Sequence, residues 1–148
     1  MKHTAFALAL ALPLAAGATA ARGAESLYEI IKVEPKVVVG ATGTASLTIK
    51  VKGGWHVNDE APISLALAAP AGLTVTKAKL TRADLAASSK QSARFDIPVS
   101  ATEAGKKTIG AEARFVLCQE QACKPVKETV TLAIEVTPPV VAAKKKKN

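Results

Sequence analysis

Apolar and polar residues alternate with a period of two along most of this chain, the pattern of strands with one buried face and one wet face. Ala45, Leu47, Ile49 and Val51 alternate with Ser46, Thr48, Lys50 and Lys52 until Gly53-Gly54 breaks the run. A short element over residues 55–58 follows. Residues 63–68 and 73–80 read as two further strands, separated by the turn signal Pro70-Ala71-Gly72. Ala93, Phe95, Ile97 and Val99 alternate with Arg94, Asp96, Pro98 and Ser100. Pro98 cannot donate a ladder hydrogen bond, so this strand is expected at a sheet edge or with a bulge there.

The last two strands carry the clearest pattern. Ile109, Ala111, Ala113, Phe115 and Leu117 share one face, with Gly110, Glu112, Arg114, Val116 and Cys118 on the other. After a short turn, Val126, Val130, Leu132, Ile134 and Val136 point inward while Lys127, Thr129, Thr131 and Glu135 point out. The polar, Ala-rich stretch 81–92 reads as a single helical turn or a loop, and Pro138-Pro139 ends the fold. With roughly seven or eight strands at sandwich-like spacing, the expected fold is all-β, an immunoglobulin-like β-sandwich over residues 25–138. A basic tail, residues 139–148, is expected to stay disordered.

The N-terminus predicts export. Met1-Lys2-His3 is a short basic start, an uncharged apolar run follows to Ala16, and Ala18-Thr19-Ala20 fits the small-residue pattern that a signal peptidase reads. Residues 1–20 are therefore expected to be a signal peptide, too short to span a bilayer. No later segment is apolar enough to cross a membrane, so the mature chain is expected in the periplasm, or secreted, without a transmembrane segment.

Composition changes this picture little. The formal net charge of +8 suggests an anionic partner at first sight. Four of those charges, however, are the lysines at 144–147 and a fifth is Lys2, which leaves about +3 on the expected domain. With export as well, no nucleic-acid partner is expected. His56 is the only histidine outside the signal peptide, and the only methionine is Met1. Zinc takes three or four protein ligands and copper(I) favours Cys and Met clusters, so neither a metal nor another cofactor is expected. Trp55 reads as a core anchor. No Ser-His-Asp set and no phosphate-cradling glycine loop is present.

One chemically active feature remains. Cys118 and Cys123 lie five positions apart in one hairpin, close enough to bond across its end. An exported pair is a disulfide by default. The bond either staples the hairpin or exchanges with other thiols. As a staple over so short a loop it contributes only about 2 kcal/mol. Lys124, Lys127 and Arg114 flank the pair and favour thiolate, whereas Glu120 and Glu128 oppose it. Cys118 falls on the polar parity of its strand, so its sulfur is expected outside the core. Cys123 leaves the turn and is expected to be the more exposed of the two. Pro125 fixes the backbone just after it.

The run Phe115-Val116-Leu117-Cys118-Gln119-Glu120-Gln121-Ala122-Cys123-Lys124-Pro125-Val126 resembles the cysteine hairpin of the N-terminal periplasmic domain of the thiol:disulfide interchange protein DsbD. Gly54-Trp55-His56-Val57-Asn58, with Pro62 following, is similar to an upstream element of DsbD-like exported domains. The resemblance covers about residues 37–136. It implies an immunoglobulin-like domain whose catalytic pair, Cys118 and Cys123, cycles between dithiol and disulfide. The implied partners are a thioredoxin-like electron donor and periplasmic disulfide-containing client proteins, with Cys123 forming the mixed disulfide. Four residues separate the cysteines here, one fewer than in full-length members, and Lys124 stands where an aromatic residue is common. The family's transmembrane carrier and terminal thioredoxin-like domain do not lie in these 148 residues, so electrons are expected to arrive in trans. The other reading of the residues is a non-catalytic immunoglobulin-like binding or structural domain with a hairpin-stapling disulfide.

Overall fold

The computed structural model describes residues 26–140. The expected signal peptide and the lysines at 144–147 lie outside the described residues. Eleven strands form two sheets: β1 (Tyr28–Val33), β2 (Lys36–Val38), β3 (Thr42–Val51), β4 (His56–Val57), β5 (Ser64–Ala68), β6 (Leu73–Val75), β7 (Lys79–Thr81), β8 (Leu85–Ser89), β9 (Ser92–Ala101), β10 (Gly105–Gln119) and β11 (Ala122–Thr137). One sheet runs β1-β3-β9-β6, with β8 also on β9; the other runs β2-β11-β10-β5-β7, with β4 also on β10. Apart from the parallel pair β2–β11, neighbours are antiparallel. The architecture is the expected immunoglobulin-like β-sandwich.

The period-two pattern explains why the sheets meet where they do. Leu47, Ile49, Phe95 and Ile97 of one sheet and Ile109, Phe115, Leu117, Leu132 and Ile134 of the other are almost fully buried in one core. Trp55 is half-buried and packs against this core. Val126 and Val130, expected inward, reach it only partly.

The extra strands have local causes. The expected strand over 73–80 is two: β6 pairs with β9 in one sheet and β7 with β5 in the other, so the chain changes sheets at Thr76-Lys77-Ala78. A shift of phase marks the break, because Leu73 and Val75 point inward on odd positions and Leu80 on an even one. The stretch 81–92 holds a 3-10 turn, Arg82–Asp84, and then β8, a strand that its alanines and serines did not announce. β1 has apolar residues on both faces, Ile30 beside Ile31, so it shows no clean alternation.

Pro98 is neither on an edge strand nor at a bulge. β9 pairs with β3 along one side, while on the other β8 reaches Phe95 and β6 begins at Val99. Positions 96–98 face the gap between those two short strands, and the only register shift nearby is in β8, between Leu85 and Ala87. An interior strand thus tolerates proline because its neighbour is interrupted there.

Candidate redox site

β10 and β11 form a hairpin paired from Gly105↔Val136 to Gln119↔Ala122, leaving Glu120-Gln121 as the turn. Cys118 faces Cys123 directly across it; the two are bonded, with Cα atoms 4.1 Å apart. That separation fits a non-hydrogen-bonded pair, in which side chains come closest. Every second pair up the ladder then has the same character, including Val116↔Pro125. The Val116 carbonyl does point away from β11, accepting from the Asn58 backbone N–H at 2.9 Å. The nitrogen of Pro125 therefore faces the outer side of β11, and proline costs this hairpin no ladder bond.

The two cysteines differ in surroundings for a topological reason. Beside Cys118, β10 is flanked by β11 on one side and by β4 on the other, where Cys118 pairs with His56. Beside Cys123, β11 has no outer strand among the described residues, since β2 joins it only at Glu135–Thr137 in register with Lys36–Val38. Cys118 is accordingly 4% exposed, whereas Cys123 is exposed. The direction agrees with the expectation from strand position. Cys118 also stays out of the apolar core cluster, as its parity requires. Its burial comes from the outer face, where the disulfide and the Asn58 side chain lie against it.

Asn58 ends the segment after β4. Gly53 and Gly54, at φ 63° and 78°, turn the chain out of β3 in a conformation that side-chain-bearing residues rarely adopt. β4 then lies beside β10, and the Val57 N–H also reaches the Lys90 carbonyl at 2.8 Å, tying it to the β8–β9 turn. Asn58 Oδ1 accepts from the backbone N–H groups of Glu60 and Ala61 at 2.8 and 3.0 Å. This leaves Nδ2 to donate to Cys118 Sγ at 3.3 Å. The Arg82 guanidinium holds the same loop from outside, donating to the carbonyls of Asn58 (3.0 Å) and Ala61.

The positive flank is smaller than the sequence implied. Glu112 binds both Arg114 (2.8 Å) and Lys127 (3.0 Å), and hydrogen bonds from Lys127 and Arg114 hold its carboxyl below the usual range. Those two charges are engaged with Glu112. Lys124 is exposed and, among the described residues, has no ion-pair partner, but it pairs with Leu117 and so stands on the opposite face of β11 from Cys123. Glu128 is turned the other way, accepting from the Tyr28 hydroxyl. Tyr28 packs edge-on against Phe115, ring centroids 5.1 Å apart. Burial, and then the Glu128 carboxylate, push its hydroxyl up to about 12.

Sequence reasoning singled out Cys118 and Cys123, and the structure brings them together. It did not find roles for Asn58, Arg82 or Tyr28, and the role it gave Glu128, opposing thiolate, gives way to a bond with Tyr28. Asn58 had a local signal, an asparagine followed by polar residues and Pro62, the composition of a side-chain-capped turn. Arg82 had none, because both its carbonyl acceptors lie more than twenty positions away.

No protein-family model matches the chain, and no curated protein matches it. Among solved structures, domains 4 and 5 of the S-layer protein SbsC align at 12% identity over 75% of this chain and 51% of that one, with a TM-score of 0.41. The chain thus spans about half of that structure. WR4, a C. elegans MSP family member, aligns at 8% identity over 73% of this chain and 97% of its own, TM-score 0.40. The ASH/PapD-like domain 7 of human CEP192 aligns at 8% identity over 95% and 100% of the two chains, TM-score 0.42. Among the described residues no helix is long and apolar enough to cross a membrane.

Proposed function

We propose that this chain is a thiol–disulfide exchange module, working outside the cytoplasm through the Cys118/Cys123 pair in the manner of the DsbD N-terminal domain. The observation that carries the reading is the unequal placement of the two sulfurs: Cys123 exposed on an unpartnered strand edge, Cys118 buried behind it. An attacking thiolate can reach one sulfur, and the other is held in place to leave. The hairpin has little need of a staple, since its ladder continues far beyond the bond and its inner face lies in the core.

The exchange runs as follows. A donor thiolate attacks Cys123 Sγ, the Cys118–Cys123 bond breaks, and the electron pair departs on Cys118 as thiolate. The donor's second thiolate then attacks its own sulfur in the mixed disulfide and releases Cys123. The donor dithiol is oxidised to a disulfide, and the pair here gains two electrons and two protons. Reduction of a client disulfide is the same sequence with Cys123 as the attacking thiolate and Cys118 resolving the mixed disulfide. The donor is a thioredoxin-like dithiol and the clients are exported proteins with disulfides.

The burial of Cys118 favours a second reading, an inert structural bond. Equilibration with glutathione separates the two. A reduction potential well above about −300 mV is expected; a value below it marks a structural disulfide and removes the exchange reading.

A further inference from the structure

We infer that Asn58 is a catalytic residue of this exchange: its side-chain amide is a preset donor for the thiolate that develops on Cys118 when Cys123 is attacked. The inference rests on the exchange reading above and adds to it the group that decides which sulfur leaves.

Three observations carry it. Asn58 Nδ2 lies 3.3 Å from Cys118 Sγ, the only side-chain hydrogen bond to either cysteine among the described residues. The orientation of the amide is set by its surroundings, because Oδ1 is engaged by two backbone N–H groups, Glu60 and Ala61. An amide turned the other way would present Nδ2 to two donors and lose both bonds. Finally, the residue is fixed at its backbone: its N–H binds Val116 of the cysteine strand, and Arg82 binds its carbonyl.

A hydrogen bond to a neutral disulfide sulfur is weak, and the same donor facing a thiolate is charge-assisted. The interaction therefore strengthens as the S–S bond breaks, which is the condition for accelerating the step rather than only stabilising the resting protein. It matters more here because Cys118 is buried, where an unassisted thiolate is disfavoured by desolvation. In the attack, the donor's sulfur–Cys123 bond forms, the Cys118–Cys123 bond breaks, and the electron pair moves to Cys118 Sγ beneath the Asn58 N–H. In the return direction the same contact keeps Cys118 as thiolate, ready to resolve a mixed disulfide on Cys123. Cys123, at the open edge, has no such donor among the described residues and is exposed to solvent.

The test uses the full chain. In a Cys123→Ser background Cys118 is a lone thiol, and its thiolate absorbance is titrated with and without Asn58→Ala. The substitution is expected to raise the midpoint by about one pH unit. In the chain with both cysteines, Asn58→Ala is expected to slow reduction of the disulfide by dithiothreitol about tenfold. Asn58→Asp guards against a loosened loop, since it keeps an acceptor for Glu60 and Ala61 but offers the sulfur no donor; it should slow reduction at least as much. An unchanged titration midpoint and unchanged reduction rates in both variants overturn the role of Asn58 while leaving the exchange reading intact. If instead a thioredoxin-class dithiol fails to reduce the unsubstituted chain, the exchange reading falls and so does the catalytic role of Asn58.

Discussion

At Cys123 the chain has left the hairpin turn but, among the described residues, meets no strand on its outer side, while directly across the rung Cys118 has a strand on each side. The difference in exposure gives the exchange a direction. Cys118→Ser leaves the exposed thiol unpaired, and under mild oxidation it is expected to trap a mixed disulfide with a thioredoxin-like dithiol protein. Cys123→Ser leaves only the buried thiol and should trap about tenfold less. Non-reducing electrophoresis reads both. Equal trapping would remove the assignment of Cys123 as the attacked sulfur, and trapping by neither counts against exchange altogether. The cysteines were legible in the sequence because spacing and parity are local properties. Asn58 was legible as a turn residue in a resembling segment but not as a partner of Cys118, since that contact spans sixty positions.

Among the elements, the hairpin β10–β11 organises the site and is secured mainly by its inner face. Ile109, Phe115, Leu117, Leu132 and Ile134 are buried in the common core, whereas the disulfide closes a loop of sequence separation 5 at the far end. The double variant Cys118→Ser/Cys123→Ser is therefore expected to remain folded. Its thermal midpoint should fall by about 10 °C or less, the shift that corresponds to about 2 kcal/mol. Circular dichroism melting checks this, and loss of the β spectrum at room temperature would show the bond to be a staple. The same scale shows where alternation misled. Residues 73–80 looked like one strand because both halves are apolar on alternate positions, yet the phase shift between Val75 and Leu80 carries the chain from one sheet to the other.

For the whole molecule, Tyr28 links the two sheets at the open side of the sandwich. It belongs to β1 and meets Phe115 of β10 and Glu128 of β11. Its hydroxyl is raised from the ordinary value of 10.0 to about 12, by burial first and then by Glu128. A folded-state value above the unfolded one favours the neutral hydroxyl in the folded chain. The associated stability is complete below about pH 10 and is lost as the pH rises through about 12. Denaturant unfolding across that range should show an alkaline decline that Tyr28→Phe flattens. Tyr28 is the only tyrosine, so tyrosinate absorbance reports its titration directly. An ordinary midpoint in the folded protein would show that Tyr28 is neither buried nor held by Glu128 in solution.

The sequence by itself determined the all-β class, the inward residues of the long strands and the presence of two cysteines on one hairpin. Each of these depends on alternation or spacing within a few residues, and a strand declares its buried face through its own side chains. Only the tertiary structure decided that β4 lies beside Cys118, that among the described residues no strand pairs with β11 outside Cys123, and that Asn58 and Arg82 converge behind the buried sulfur. Which strands become neighbours, and which edge stays open, follows from pairing between distant segments. Alternation marks a strand's two faces, but its two edges are backbone, and every residue presents the same backbone there.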